Sequence, residues 1–345
     1  MKKLKDFKLK SKKVLVRCDF NIPIKNGKIL DDFRIKSEIP TIKYLIKNKA
    51  KIVLISHLGR PKKNQKSKFK IKNLSLRPIA KRLERLLRKK VKFVGDCLGE
   101  KVKKEVEKMK EGDVLLLENL RFYESEEKGN LNFAKKLAKP FEIFVQDAFA
   151  CCHRPHASIS LLPKILPSAA GLLLEKEIEN LNKIIKNPRK PSLAIFGGKE
   201  AEIDVINKIS EKADWVLISG LIERGIKKSK LKFPKKILKP LDELDTKDIG
   251  PKTISLFKEK ISKAKTIFWS GPFGKIEEKK FQKGTKEIAK AIAKSKAFSV
   301  IGGGETIDFV FDLGLAKGFS HLSTGGNAML EFLAGKRLPG IEALR

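Results

Sequence analysis

The sequence KKVLVRCDFN, at residues 12–21, contains the pattern from which the fold can be predicted. It begins with a short apolar run, Val14-Leu15-Val16, and leads directly into polar side chains that include Asp19 and Asn21. An apolar run of this length is too short for a helix and is typical of a buried strand. Polar residues directly after such a strand lie at its carboxyl end, where parallel sheets bind ligands. We therefore interpret this stretch as a buried strand that leads into a binding site.

The same pattern recurs along the chain. Similar apolar runs are found at residues 52–55, 91–94, 114–117 and 143–145, and again at residues 193–196, 216–218, 266–269 and 298–301. Sequences with helical spacing lie between them; in one, Ile79 and Leu83 follow Pro78. Strands that alternate with helices predict a parallel sheet with helices on both faces. We therefore predict the α/β class, with two such units in succession.

A predicted helix joins the two units. Its apolar residues recur at helical spacing and are Leu174, Ile178, Leu181 and Ile185. Asn187-Pro188 ends the pattern. We assign residues 1–165 to a first domain, residues 166–187 to the connecting helix and residues 188–329 to a second domain. A helix shared by two compact lobes is suited to act as a hinge.

The composition is that of a folded protein. The 345 residues are 41% hydrophobic and 34% charged, which fits neither a disordered polyelectrolyte nor a collagen-like chain. No apolar run approaches the roughly 20 residues that cross a bilayer, and the start does not resemble a signal peptide. The four cysteines make no disulfide framework and match no zinc-site spacing. We therefore expect a cytoplasmic protein without membrane contact.

The chain is strongly basic, since 77 Lys and Arg against 40 Asp and Glu give a net charge of +37. Such a charge attracts polyanions and small anionic substrates alike. The basic residues are interleaved with acidic ones on predicted helix faces, and no segment alternates aromatic and basic residues as base-stacking surfaces do. The sequence therefore favours a small anionic ligand over a nucleic acid.

Glycine-rich turns follow predicted strands of the second half. They are Gly197-Gly198-Lys199, Gly271-Pro272-Phe273-Gly274, Gly302-Gly303-Gly304-Glu305-Thr306 and Gly325-Gly326. Glycine lets the backbone approach a ligand, and the free N–H groups of a following helix attract anions. At one end of one sheet, these turns predict a phosphate-binding surface. Neither a P-loop nor a complete G-x-G-x-x-G fingerprint occurs, so a nucleotide would be held by a less common arrangement.

The first half carries a different set of polar residues, most of them just after predicted strands. The set consists of Asp19, Asn21, Arg34, His57, Arg60, Arg121, His153, Arg154 and His156. In a parallel sheet these side chains converge at one edge, where guanidinium and imidazole groups suit a small ligand with carboxylate and phosphate groups. A single loop arginine is usually a solvated surface charge, whereas several placed in this way favour a binding pocket.

Six separated motifs carry a resemblance to a known family. They are Val16-Arg17-Cys18-Asp19-Phe20-Asn21-Ile22-Pro23, Ser56-His57-Leu58-Gly59-Arg60-Pro61, Leu117-Glu118-Asn119-Leu120-Arg121-Phe122, Asp147-Ala148-Phe149 with His153-Arg154-Pro155-His156-Ala157-Ser158, Gly302-Gly303-Gly304-Glu305-Thr306 and Ser323-Thr324-Gly325-Gly326. In this order, and over essentially the whole chain, they resemble phosphoglycerate kinase. The resemblance implies a monomer of two Rossmann-like lobes joined by a closing hinge, with residues 330–345 returning to the first lobe.

The resemblance also implies an activity and its residues. The reaction, a step of glycolysis and gluconeogenesis, transfers a phosphoryl group reversibly between 1,3-bisphosphoglycerate and ADP with Mg²⁺, giving 3-phosphoglycerate and ATP. By motif match, phosphoglycerate would be bound by Asp19, Phe20, Asn21, Arg34, His57, Leu58, Gly59, Arg60, Arg121 and Arg154. The nucleotide would lie along Lys199, Glu277, Gly303, Gly304, Glu305 and Thr306. Glu277 would reach the ribose and Glu305 would bind the metal. The catalytic group would consist of Arg34, beside the reacting carboxyl group, with Lys199, Gly303 and Gly304.

The nucleotide half departs from the usual pattern of the family. The run Gly197-Gly198-Lys199-Glu200-Ala201-Glu202-Ile203-Asp204 is shorter than the usual G-G-A-K-V-x-D-K-I and keeps one of its lysines. Glu305 replaces the Asp of G-G-G-D-T, while Ser270 and Asn327 stand where Asn and Gly are common. We therefore expect an active enzyme with altered phosphate handling. The alternatives are a homologue that binds these ligands without catalysis and a basic nucleic-acid-binding protein on the same scaffold.

Overall fold

The computed structural model describes residues 1–61, 73–198, 203–229 and 236–345. Contacts divide the chain into two compact units: unit 1 is Met1–Lys176 with Arg337–Arg345, and unit 2 is Glu177–Lys336. The division falls inside a single helix, Leu172–Ile185. Each unit is built on one parallel sheet with flanking helices, which confirms the predicted fold class. The candidate residue Lys199 and the neighbouring Glu200, Ala201 and Glu202 lie outside the described residues.

Unit 1 is organised around a six-stranded sheet. The described strands are β1 (Lys13–Arg17), β2 (Ile24–Lys25), β3 (Lys28–Ile29), β4 (Lys51–Ile55), β5 (Val91–Val94), β6 (Val114–Leu117), β7 (Ile143–Gln146) and β8 (Ser168–Ala170). The sheet has the order β5-β6-β4-β1-β7-β8, all parallel, while β2 and β3 form an antiparallel hairpin. The helices are Leu4–Asp6, Phe33–Lys47, Arg77–Leu87, Glu100–Glu107, Leu120–Phe122, Glu124–Glu127, Leu131–Ala138, Phe149–Cys151, Ala157–Leu161, Leu162–Ile165, Leu172–Ile185 and Pro339–Glu342.

The alternation of side chains along β1 explains why this sheet is covered on both faces. Val14 and Val16 are fully buried in one hydrophobic cluster, together with Ile35 and Ile42 of the helix Phe33–Lys47. Leu15 points to the opposite face and belongs to a second cluster. Because successive side chains of a strand point to opposite faces, an uninterrupted apolar run needs a partner layer on each side.

Unit 2 repeats this architecture with its own six-stranded sheet. Its described strands are β9 (Ser192–Phe196), β10 (Trp215–Ile218), β11 (Ile237–Leu238), β12 (Glu243–Leu244), β13 (Asp248–Ile249), β14 (Thr266–Ser270), β15 (Phe298–Gly302) and β16 (His321–Leu322). The parallel sheet has the order β11-β10-β9-β14-β15-β16, and β12 pairs with β13 in an antiparallel ribbon. The helices are Ile203–Lys212, Gly220–Lys228, Pro251–Lys263, Lys279–Phe281, Lys283–Lys294, Gly304–Asp312, Ala316–Gly318 and Asn327–Leu333.

The observed elements differ from the predicted ones mainly at short strands. Each predicted apolar run is a strand, extended at most by one residue at either end. β8, however, lies in the segment that we assigned to the connecting helix, and that helix begins only at Leu172. β8 consists of the small residues Ser168 to Ala170, so the sequence has no apolar run there from which a strand could be predicted. Among the described helices, none is both long and apolar enough to span a membrane.

Candidate functional site

Asp19 is the centre of the polar group at the carboxyl ends of the unit 1 strands. It follows β1 and is 2% exposed. Arg34, near the start of the helix Phe33–Lys47, forms an ion pair with the Asp19 carboxylate. His57 follows β4, and its Nδ1 lies 4.0 Å from Asp19 Oδ1. Residues from three separate elements therefore meet here, as the parallel sheet predicts.

Backbone and side-chain hydrogen bonds join the neighbouring strand ends to this group. Asn21 Oδ1 accepts a hydrogen bond from the Gly59 N–H at 2.9 Å. Arg121 Nη1 donates to the Gly59 carbonyl oxygen at 2.7 Å. Asn119 Oδ1 accepts from the Leu58 N–H at 3.2 Å. These contacts connect the ends of β1, β4 and β6 into one ordered edge.

Arg17 is a member of this group that the sequence analysis did not single out. It is the last residue of β1, and it is 1% exposed. Its Nη2 lies 3.3 Å from His57 Nδ1, and its Nε donates to Ser158 Oγ at 2.9 Å. Ser158 Oγ in turn donates to Glu126 Oε1 at 2.5 Å. A charged residue at the end of an apolar strand was the available signal, because a buried guanidinium requires partners.

His57 and His156, the two buried histidines of unit 1, are neutral at physiological pH. Burial and the nearby charges of Arg17, Arg121 and Arg34 hold the pKa of His57 well below its usual range. Burial, together with Arg121 and Arg17, lowers the pKa of His156 to about 3. Among the described residues of this polar group, the positive charge therefore comes from guanidinium groups, and neither His57 nor His156 adds to it near neutral pH.

The cluster formed by Asp19, His57 and Cys151 does not suit a metal ion. Their potential ligand atoms lie within 4.8 Å of one another. Arg17 Nη2, however, is 3.3 Å from His57 Nδ1 and 3.9 Å from Cys151 Sγ, so a permanent positive charge is already present. Burial raises the pKa of the Cys151 thiol to about 11, which keeps it neutral. The cluster therefore fits an anion rather than a cation.

The remaining predicted site residues of unit 1 differ in burial and in their contacts. Arg154 is half-buried, and its charge acts on Arg121 and His156. Arg60 is exposed and makes no hydrogen bond or ion pair with another described residue. Phe20 and Leu58 have buried side chains, so any contact to a ligand would come from their backbone.

Three glycine turns of unit 2 meet at the carboxyl ends of β9, β14 and β15. The Gly197 N–H donates to the Ser270 carbonyl oxygen at 2.9 Å, and the Gly198 N–H donates to Pro272 at 2.6 Å. A Cβ at Gly303 would lie 3.6 Å from the Gly271 nitrogen. That is an ordinary van der Waals distance, whereas a Cβ at Gly197 would clash with the Pro272 carbonyl oxygen and one at Gly271 with the Gly197 carbonyl oxygen, so those two positions leave space only for glycine. The three turns therefore meet beside Gly303, but the N–H groups of Gly197 and Gly198 are already bonded within them.

Gly303 directly precedes the helix Gly304–Asp312 and has a φ of +92°, which disfavours every other residue. Among the described residues, no side chain caps the N-terminus of this helix. The Thr306 hydroxyl is buried and has no hydrogen-bond partner among the described residues. The Glu305 side chain is exposed in the first turn. A helix start without a side-chain cap and an unpaired buried hydroxyl suit a phosphate group.

A buried glutamate binds the segment before the fourth glycine turn, Gly325-Gly326. Glu177 is fully buried, and its Oε2 lies 2.8 Å from His321 Nε2. Its Oε1 accepts hydrogen bonds from the Thr324 N–H at 2.6 Å and the Thr324 hydroxyl at 2.8 Å. These bonds fix the segment that leads into Gly325. Glu277, by contrast, is exposed after Gly274, and no described contact brings it to the turns around Gly303.

Unit 1 has a guanidinium-lined anion site at the end of its sheet, and unit 2 has a helix start without a side-chain cap at the end of its own sheet; each suits a phosphate-bearing ligand. A family model described as phosphoglycerate kinase matches residues 4–235 and 228–336. The chain belongs to the phosphoglycerate kinase family.

Individual relatives cover nearly all of the chain. It is 44% identical to phosphoglycerate kinase from Dictyoglomus turgidum over 393 aligned positions, which cover 99% of this chain and 98% of the relative. It is 40% identical to the enzyme from Clostridium tetani, with 99% of this chain and 97% of that one covered. The crystal structure of phosphoglycerate kinase from Pyrococcus horikoshii matches with a TM-score of 0.87 at 33% identity, covering 100% of this chain and 98% of that chain.

Proposed function

We propose that the chain transfers a phosphoryl group reversibly between 1,3-bisphosphoglycerate and ADP, giving 3-phosphoglycerate and ATP. The observation that carries this proposal is the group formed by buried Asp19 and Arg121 and the partly exposed Arg34 in unit 1, which combines permanent positive charge with neutral histidines. A three-carbon acid that carries both phosphate and carboxylate matches such a surface. Unit 2 supplies the nucleotide site.

In unit 1, we assign the arginines different partners. Arg34 has one nitrogen paired with Asp19, and its side chain is 27% exposed, so its other N–H groups remain available to a ligand. We assign it to the reacting carboxyl group. Arg121 and Arg154 take the distal phosphate, with Arg60 added from the exposed loop after Gly59. Asn21 and His57 are neutral and orient the hydroxyl and carboxyl oxygens.

In unit 2, the nucleotide phosphates lie on the N–H groups of Gly303 and Gly304, with Thr306 donating its unpaired hydroxyl. Lys199 and Glu277 belong to the same proposal, for phosphate and ribose. Mg²⁺ fits the Glu305 carboxylate, an exposed oxygen ligand at the helix start that has no described partner. When bound, the ion neutralises charge on the phosphate oxygens.

The chemistry requires alignment and charge rather than a base. The attacking oxygen is a carboxylate or a phosphate oxygen, and both are already anions at neutral pH. The neutral His57 and His156 therefore need not take a proton. Guanidinium groups and helix N–H groups stabilise the three oxygens of the phosphoryl group in transit, which usually supplies the largest part of the rate enhancement. Exclusion of water prevents loss of the acyl phosphate by hydrolysis.

We expect altered phosphate handling because the motifs of the nucleotide half depart from the usual family pattern. The loop after Gly198 retains Lys199 alone of the usual pair of lysines, and Glu305 is one methylene longer than the usual Asp. Both changes act on phosphate and metal rather than on phosphoglycerate. We further propose that the protein is a cytoplasmic monomer, which gel filtration would show as a single chain of 38.9 kDa.

The proposed function is tested by turnover of the purified protein at saturating Mg-ATP and 3-phosphoglycerate. We expect ADP to form only when both substrates are present. If both ligands bind but no ADP forms, the chain is a binding homologue and the proposal is wrong. Nucleic-acid affinity that falls steeply with salt, and that is unchanged in Arg34→Ala and Arg121→Ala, would instead support the alternative of a nucleic-acid-binding protein.

Gly303→Ala should weaken nucleotide binding about tenfold. Alanine is strained at a φ of +92°, and its Cβ would lie 3.4 Å from Thr306 Oγ1, inside the proposed phosphate cradle. We expect the KM for Mg-ATP to rise and the KM for 3-phosphoglycerate to stay constant. Gly314→Ala is a matched control, because Gly314 has a φ of +68° but no neighbour within 4 Å of a Cβ. Equal effects of the two variants would contradict the assignment of Gly303.

A further inference from the structure

Two buried carboxyl groups, Glu38 and Asp147, face each other behind the polar group of unit 1. Both side chains are fully buried. Glu38 lies on the helix Phe33–Lys47, one turn after Arg34, and Asp147 follows β7. One oxygen of each, Glu38 Oε2 and Asp147 Oδ2, finds no conventional donor among the described residues. The two side chains are nevertheless in hydrogen-bonding contact with each other. Two carboxylate oxygens can form that contact only if a proton lies between them.

The other oxygen of each carboxyl group accepts a hydrogen bond from a backbone N–H group. Glu38 Oε1 accepts the Asp19 N–H at 2.6 Å. Asp147 Oδ1 accepts the Leu174 N–H at 3.0 Å, in the first turn of the helix Leu172–Ile185. The Thr41 hydroxyl also binds the Asp147 carboxyl group. The two carboxyl groups thus complete a chain of bonds from Asp19 to the start of that helix.

The position of the proton follows from these partners. Asp147 receives several donors and lies at a helix N-terminus, where negative charge is stabilised. Glu38 receives one donor and lies beside the Asp19 carboxylate, which disfavours its ionised form. Burial, followed by the neighbouring Asp147, raises the pKa of Glu38 well above its usual range. Glu38 is therefore the acid of the pair and Asp147 the anion.

We propose that Glu38 is a positioning residue that is neutral at physiological pH and whose O–H, donated to Asp147, holds Asp19 in place for phosphoglycerate. Its carboxyl group touches no reacting atom in this account, because it acts through the Asp19 backbone. The part that concerns phosphoglycerate rests on the proposed function. The part that concerns the proton rests on the pair alone.

The groups that face the pair do not supply a compensating charge. Cys18 contacts Glu38, and Cys152 interacts with Asp147. Burial raises the pKa of both thiols, so they are neutral. Arg17 acts on these thiols, and its Nη1 is bound to the Cys18 carbonyl oxygen. Loss of the proton from Glu38 would therefore place three carboxylates, those of Glu38, Asp147 and Asp19, close together.

Glu38→Gln tests this proposal without removing the contacts. The amide oxygen still accepts from Asp19 and the amide nitrogen still donates to Asp147, but position 38 no longer titrates. Above the ordinary Glu pKa and below the raised one, the folded protein holds one proton that the unfolded chain has released. Its folding constant therefore falls about tenfold per pH unit through this group. We expect that fall as the pH rises from the ordinary Glu pKa toward the raised one, in the unsubstituted protein relative to Glu38→Gln, measured by urea unfolding.

The control is Ser37→Ala, which removes a neutral hydroxyl from the same helix without touching the pair, since Ser37 Oγ donates to the Phe33 carbonyl oxygen at 2.9 Å. It should lower stability by the same amount at every pH, parallel to the unsubstituted protein. Parallel curves for Glu38→Gln and the unsubstituted protein would overturn the proposal, whatever the activity.

The role in positioning is tested by titration with 3-phosphoglycerate, which needs no turnover. We expect the Kd to rise toward alkaline pH in the unsubstituted protein and to vary less in Glu38→Gln. Identical pH profiles of the Kd would overturn the positioning role. Absence of binding in both proteins would contradict the proposed function, while the stability measurement would still decide whether Glu38 holds the proton.

Discussion

Arg34→Ala is expected to lower kcat by about a hundredfold or more, the range found when one donor to a transition state is removed. Arg34 is placed for this role by its helix and by Asp19, whose negative charge raises its pKa and keeps the guanidinium charged. His57 is neutral, so it cannot replace the positive charge with which Arg34 stabilises the phosphoryl group during transfer. Initial rates at saturating substrates measure the effect directly.

Arg82→Ala is the matched control for Arg34→Ala. Arg82 also forms an ion pair with a nearby aspartate, Asp32, and its side chain is 31% exposed, close to that of Arg34. It makes no contact with the Asp19 group in the described structure. We expect kcat to change by less than about twofold, since partly exposed ion pairs contribute little. An unchanged kcat in Arg34→Ala would remove Arg34 from the mechanism.

Arg121→Ala is expected to raise the KM for 3-phosphoglycerate by about 10- to 100-fold, with a smaller change in kcat. Hydrogen bonds to charged groups contribute about 1.5–3 kcal/mol each, which corresponds to this range. The Arg121 side chain is 5% exposed, so water cannot replace the lost contact efficiently. A loss of kcat at an unchanged KM would instead place Arg121 on the transferring group.

The partner of Arg121 provides a control for this variant. Glu127 Oε1 lies 3.1 Å from Arg121 Nε, and the Glu127 side chain is 43% exposed. Glu127→Gln removes that negative charge but leaves the bond from Arg121 to the Gly59 carbonyl oxygen. We expect the KM for 3-phosphoglycerate to fall slightly or stay constant. A rise as large as that of Arg121→Ala would show that the ion pair, rather than the ligand contact, determines the KM.

The sequence predicted the sheet and its polar edge because both follow from local patterns. Apolar runs such as Val14–Val16 are strands, and the residues after them meet at one edge, as Asp19 and His57 do. Parallel sheets place all carboxyl ends on the same side, so the order of the strands is not needed for this inference. The closeness of the glycine turns around Gly303 follows from the same rule.

The residues that were missed depend on contacts distant in sequence. Arg17 ends an apolar run and Glu38 lies between Ser37 and Ile39, and neither could be assigned a partner such as His57 or Asp147 from the sequence alone. Glu38 does lie on the buried stripe of its helix, between Ile35 and Ile42, and this position was the usable signal. A polar residue on an apolar stripe requires a buried partner.

The central claim is transfer of the acyl phosphoryl group of 1,3-bisphosphoglycerate to ADP, and isotope transfer tests it most directly. Purified protein is mixed with Mg-ADP and 1,3-bisphosphoglycerate labelled with ³²P at the acyl phosphate, and the products are separated after a single turnover. The account predicts that the label is recovered in the γ-phosphate of ATP and that Arg34→Ala slows its appearance. Label that remains in 1,3-bisphosphoglycerate, or that is released as inorganic phosphate, would contradict the account.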